Sequence, residues 1–138
     1  MKFLLDTDHV SLLLANDPQV MWNLLRHSVD DVAISVITVE EALVGWLTAL
    51  NRARDQVKRE RISRKMAHTV MGLAGWTILP FTLAAMNRYD GFLRMKLNVG
   101  SNDLRISATA MCSGAVVVTR NRRDFSRVPG LAIVDWAL

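Results

Sequence analysis

The chain predicts a three-layer α/β domain, with a central, mostly parallel sheet of four to five short strands flanked by helices. Three observations carry that expectation. Short apolar runs recur at Lys2–Leu5, Val32–Val36, Trp76–Leu79, Ala115–Val118 and Leu131–Val134, without the polar alternation of half-exposed strands. Such runs suit strands covered on both faces. The stretches between them are long enough for helices and carry apolar residues at helical spacing. The length of 138 residues, with 51% hydrophobic and 22% charged residues, fits one domain over 1–138 with its own core and excludes a disordered or low-complexity chain.

Each element has a local reason. Asp6-Thr7-Asp8 ends the first strand, and Asp8 or Ser11 can open a helix carrying Val10, Leu12, Leu13 and Leu14. Asn16-Asp17-Pro18 stops that helix and starts a second, with Asp17 as N-cap and Pro18 in the first helical position. The second helix places Val20, Met21, Leu24 and Leu25 on one face. After the second strand, Thr38 opens a helix through Leu43, Leu47 and Leu50. A basic helix follows, with Val57, Ile62, Met66, Val70 and Leu73 as its apolar side, ending near Gly72 or Gly75. Pro80 stops the third strand, and Thr82–Leu97 reads as a helix broken near Asp90-Gly91. Asp103 opens a further helix, which Gly114 closes as a C-cap.

Charge and cysteine usage narrow the setting. The lone cysteine, Cys112, forms no internal disulfide or thiolate metal cluster, which fits a reducing cytoplasmic compartment, and it reads as a small buried hydrophobe. Asp6 and Asp8 interrupt the amino-terminal run from Met1, so no secretory segment is expected there. The uncharged stretch Met66–Asn87 is broken by Pro80 and several polar residues, so no membrane span is expected. The formal charge is +4, yet the segment from Arg52 to Lys65 alone carries +5. Such a face is either simply solvated or a footprint for a polyanion.

In open parallel sheets, ligands bind beyond the carboxyl ends of the strands, near the switch in strand order. Asp6 and Asp8 follow the first strand, Glu40 and Glu41 the second, and Thr119-Arg120-Asn121-Arg122-Arg123-Asp124 the fourth. Each acid also has an ordinary explanation. Asp6, Asp8 and Asp103 suit helix caps, Thr38-Val39-Glu40-Glu41 matches a capping box, and Asp124 suits a turn before Phe125. Jointly they suggest more. Carboxylates gathered in one cleft repel one another, and a cation makes the arrangement favourable. Oxygen-only ligation indicates Mg²⁺, or Mn²⁺, over zinc.

Four segments in order resemble the PIN-domain ribonucleases, and in length and motif order the VapC-type toxins of bacterial toxin–antitoxin pairs. These are Leu4-Leu5-Asp6-Thr7-Asp8, Ser35–Glu41 with Gly45 beyond, Asn102–Ala108, and Val118–Phe125 followed by Pro129-Gly130-Leu131. The resemblance implies a PIN-like domain in which Asp6, Glu41, Asp103 and Asp124 are catalytic and hold Mg²⁺ (or Mn²⁺). Thr119 would be an accessory polar residue at the strand end, and Arg120 and Arg122 would hold the RNA backbone. It further implies metal-assisted hydrolysis of RNA phosphodiesters, a cognate VapB-like antitoxin and a homodimer.

Two other readings compete. A noncatalytic module would use the acids as caps and the basic helix to bind an acidic partner. A haloacid-dehalogenase-like phosphatase also begins with an Asp-x-Asp motif, but His9-Val10 stands where that class has Gly-Thr. His9 itself reads as a structural histidine rather than a general base. The four tryptophans read as core or interface residues, and the seven methionines as gap fillers.

Overall fold

The computed structural model describes residues 2–138 and leaves Met1 outside the described residues. Its five strands are β1 (Phe3–Leu5), β2 (Val32–Ser35), β3 (Thr77–Leu79), β4 (Val116–Val118) and β5 (Ile133–Val134). They pair in the order β3-β2-β1-β4-β5, every pair parallel. The helices are α1 (Thr7–Leu14), α2 (Pro18–Leu24), α3 (Val36–Arg52), α4 (Gln56–Ala74), α5 (Leu83–Arg94), α6 (Ser101–Ser113) and the one-turn α7 (Arg122–Phe125). No helix among the described residues is long and apolar enough to cross a membrane.

Alternation along the strands splits the core in two. Leu5, Val32, Ile34 and Val118 face α1, α2 and α4, where Val10, Leu13, Val20 and Leu73 meet them with Trp136. Leu4, Ala33 and Val117 face the other way, onto Ile37, Ile106, Ala110 and Phe125. A third cluster joins α5 to α6 through Ala85, Phe92, Leu104 and Ala108. Burial on both faces explains why the inner strands β1, β2 and β4 read as apolar runs, whereas the edge strand β3 is largely exposed and β5 half-buried, against the expectation for their apolar runs.

The local signals at Asp17 and Gly114 act as expected. Asp17 accepts from the Gln19 and Val20 amides with Pro18 in the first helical position, and Gly114 closes α6 at φ 68°. Besides α1, which opens at Thr7 on the Asp6 cap rather than at Asp8 or Ser11, five expectations need correction. The first two concern α3 and α6, which begin earlier than read. Ser35 caps α3 by accepting from the Ile37 amide, so Thr38 lies inside the helix and no capping box forms. Likewise α6 starts at Ser101, which puts Asp103 in its first turn rather than at its cap.

Third, α5 runs unbroken through Asp90-Gly91, because Ala85 and Phe92 bury both halves on α6. Fourth, α4 buries a narrower stripe than its apolar pattern suggests. Ile62 and Leu73 are buried, while Val57 and Val70 are exposed, as is Leu25 at the end of α2. Fifth, Cys112 is exposed in the last turn of α6 rather than buried. Of the four tryptophans, Trp136 is core and Trp22 stands exposed.

Candidate active site

From β1 the chain moves outward through β2 to β3, then returns to β4 and β5 on the other side of β1. That reversal opens a crevice at the carboxyl ends of β1 and β4. Asp6 stands at its centre. Its amide donates to the Val118 carbonyl at 3.0 Å, which extends the β1–β4 ladder to the acid itself. Its side chain is the N-cap of α1, and Oδ1 accepts from the His9 amide at 2.8 Å. Cap and ligand are therefore not alternatives for this residue, since capping occupies one oxygen. Among the described residues no hydrogen bond reaches Oδ2, and no side-chain oxygen is both fully buried and unpartnered. Oδ2 therefore keeps some access to solvent.

Glu41 arrives from one turn further along α3. Its Oε1 accepts from the Thr7 hydroxyl at 2.7 Å, and Thr7 Oγ1 also lies 3.0 Å from Thr38 Oγ1. The residue after Asp6 thus ties α3 to α1 and fixes Glu41 beside the crevice. Sequence reasoning gave Thr7 no role, although its place directly after Asp6 was the available signal. Glu40, one residue earlier, takes no side-chain hydrogen bond among the described residues, and its side chain sits on a different side of α3 from Glu41.

Asp103 projects from the start of α6. Tyr89 pins that end to α5, through its hydroxyl 2.8 Å from Ser101 Oγ and its ring 4.9 Å beneath the Arg105 guanidinium. Burial, followed by the charges of Asp6, Glu41 and Asp124, lifts the Asp103 carboxyl from 3.8 to about 6. Asp6, Glu41 and Asp124, from three other segments of the chain, therefore lie near enough for their charges to act on Asp103. Asp124 lies in α7, whose N-cap is Asn121 rather than Asp124 itself. Asn121 Nδ2 donates to Asp124 Oδ2 at 3.0 Å, and Arg127 lies 3.6 Å from Oδ1.

The residues expected to bind RNA separate. Thr119 is fully buried and accepts from the Asn121 amide at 2.9 Å, so its hydroxyl shapes the loop after β4. Arg120 is exposed and forms a two-pronged pair with Asp8, at 2.6 and 2.9 Å. That pair raises the Arg120 pKa further above its already high value. Arg122 is exposed beside it, at the start of α7.

A second donor set is more compact. Asp6, Asp8 and His9 offer ligand atoms within 4.8 Å of one another. Their chemistry argues against a centre built on all three. Both oxygens of Asp8 are taken by Arg120. His9 is fully buried, with Nδ1 3.2 Å from Asp6 Oδ1 and Nε2 3.3 Å from the Trp136 amide. A neutral ring that accepts from that amide at Nε2 carries its proton on Nδ1 and has no lone pair left for an ion. Asp6, Glu41, Asp103 and Asp124 offer oxygen donors only, the ligand type a hard divalent cation takes.

A groove of about 810 Å³ leads away from the acids between α1, α3 and α4, bordered by Thr7, Leu14, Thr38, Glu41, Trp46 and Lys65. Lys65 belongs to the basic run of α4, whose cations Lys58, Arg59, Arg61, Arg64 and Lys65 are all exposed.

No model of a protein family matches the chain. The chain is, however, 30% identical over 142 residues to the tRNA(fMet)-specific endonuclease VapC of Salmonella typhimurium, an alignment covering 99% of this chain and 98% of that one. The chain belongs to the VapC family of PIN-domain ribonuclease toxins. Solved VapC-containing complexes share its fold. The DNA-bound VapBC of Salmonella typhimurium superposes with a TM-score of 0.74 at 28% identity, over 99% of this chain and 98% of that one. The VapBC2 of Rickettsia felis, bound to a fragment of its promoter DNA, gives 0.74 at 26% identity over 99% of each chain. VapC membership removes the phosphatase reading and sets the acid cluster in a toxin–antitoxin context.

Proposed function

We propose that this VapC-family chain is a Mg²⁺-dependent endoribonuclease, with Mn²⁺ as an alternative ion, that acts as the toxin of a pair with a VapB-like antitoxin. Asp6, Glu41, Asp103 and Asp124 would hold the ion. The observation that carries the reading is the shared field of these four acids at the strand-order switch, felt at Asp103. When bound, a divalent ion lowers the pKa of water and neutralises charge on a phosphodiester.

The chain's own residues supply the rest. Thr7 holds Glu41 in place through the 2.7 Å bond, and Asp6 turns one oxygen toward the crevice while capping α1 with the other. Asn121 and Arg127 orient Asp124. Arg120 and Arg122 stand at the rim for the RNA backbone, Arg120 exchanging its Asp8 partner for phosphate. The α4 cations extend that track, and phosphate contacts of this kind give affinity without reading sequence. The single domain, the homodimer and the cytoplasmic setting belong to the same proposal.

Incubation of the purified chain with single-stranded RNA in Mg²⁺ or in EDTA tests it. Cleavage is expected in Mg²⁺, none in EDTA, and none by Asp6→Asn under either condition. Cleavage by Asp6→Asn at the wild-type rate would refute the assignment of Asp6, and no cleavage by the wild type in Mg²⁺ would favour a noncatalytic binding role.

A further inference from the structure

The proposed mechanism leaves His9, a buried polar group beside Asp6, unused. His9 has no solvent exposure, yet it makes contact at both ring nitrogens. One of those contacts is Asp6 Oδ1, in the proposed ion site. The other is the backbone of Trp136, separated from His9 by 127 residues.

That backbone is itself firmly held. The Trp136 ring stacks on His27 at 5.0 Å with 7° between the planes, and Phe3 packs at 5.1 Å. The Trp136 carbonyl accepts from Asn23 Nδ2 at 2.9 Å. Asp135 Oδ1 lies 3.4 Å from His9 Nε2 and already accepts from the Ala137 amide at 2.8 Å. The tail after β5 therefore presents a fixed amide to Nε2. A neutral imidazole must then place its proton on Nδ1, and a charged one carries a proton there as well. In both states Nδ1–H faces Asp6 Oδ1.

We infer that His9 is a positioning residue for Asp6: the Trp136 amide sets the imidazole, and Nδ1–H with the His9 amide locks Oδ1, leaving Oδ2 to meet the ion. The inference rests on Asp6 being an ion ligand as proposed above. A carboxylate held at one oxygen by two donors has lost its rotational freedom before the ion arrives. Partners of this kind are worth about 10–100-fold in metal affinity.

Two substitutions separate positioning from simple anchoring of the tail. His9→Asn keeps a donor at the Nδ1 place and loses the acceptor for Trp136. His9→Gln does the reverse. Calorimetric titration of the purified full chain with Mn²⁺ should show His9→Gln weakened about tenfold or more and His9→Asn within about threefold of wild type. RNA cleavage should follow the same order, through kcat with KM for RNA unchanged. The opposite order, with Gln near wild type and Asn impaired, would mean that His9 only anchors the tail and would overturn the inference.

Two further measurements keep the test decisive. Should either variant fail to fold, ¹⁵N spectra of the wild-type imidazole still answer. A proton on Nδ1 supports the inference, and a bare Nδ1 overturns it. Asp6→Asn, expected to lose Mn²⁺ binding, is the control. If it does so while His9→Gln binds like wild type, the positioning role fails alone. Wild-type affinity in Asp6→Asn overturns the ion site and the inference together.

Discussion

Replacing Asp103 by Asn should stabilise the metal-free protein at neutral pH while abolishing its nuclease activity. The carboxyl is lifted from 3.8 to about 6, by burial first and then by Asp6, Glu41 and Asp124. A raised folded-state pKa means that the folded protein binds the proton more tightly than the unfolded chain. Stability from that proton is complete below about pH 4 and is lost as pH rises through about 6. At about 1.4 kcal/mol per pKa unit, the full shift corresponds to about 3 kcal/mol at pH 7. Asp103 is half-buried, so solvent screening reduces this to about 1–1.5 kcal/mol. For a chain of this size that is about 3–5 °C in melting temperature.

The assay is thermal unfolding of wild type and Asp103→Asn in EDTA from pH 4 to 7.5. The curves should coincide near pH 4 and separate between pH 4 and 6, with the Asn variant higher. Addition of Mn²⁺ at pH 7 should raise the wild type and leave the variant nearly unmoved, since only a ligand bound to the native state shifts the transition. A difference between the two proteins that stays constant from pH 4 to 7.5 would refute the argument, because Asp103 would then not sense its neighbours.

Three other outcomes are expected from the geometry. Thr7→Val keeps the shape of the side chain but removes the donor to Glu41 Oε1; Mn²⁺ affinity measured by calorimetry should fall about tenfold. Joint replacement of Lys58, Arg61 and Lys65 by Ala removes three exposed cations of α4; filter binding should show weaker affinity for all single-stranded RNAs and a salt slope shallower by about 0.7 per lost phosphate contact. Ser35→Ala removes the α3 cap and should cost about 1 kcal/mol by urea unfolding, an ordinary N-cap loss.

The inner strands β1, β2 and β4 were legible because burial on both faces leaves a simple trace, an apolar run with no alternation. Local grammar was legible too, at Asp17-Pro18 and at Gly114, where one residue's conformation decides the outcome. The site acids were visible as candidates but not as partners. Thr38-Val39-Glu40-Glu41 has the spacing of a capping box, and only the earlier start of α3 at Val36 turns Glu41 toward Thr7 instead of back to its own helix. Asp103 looked like a cap because an acid beginning a helix is ambiguous by a residue or two. The pairing of His9 with Trp136 had no sequence signal, since nothing local links residues 127 positions apart. The exposure of Val57 and Val70 depends on how narrowly α4 rests on its neighbours, which amphipathic periodicity does not report.

The position of β1 bears on how such a protein comes into being. β1 lies in the middle of the sheet, and one of its two neighbours, β4, follows it by more than a hundred residues. While ribosomes are still extending the chain, β1 has an open flank and Asp6 has neither Asp103 nor Asp124 near it. Activity should therefore switch on after synthesis has passed residue 124, rather than grow gradually during translation. A nascent fragment that stops short of β4 would be harmless to the RNA around it.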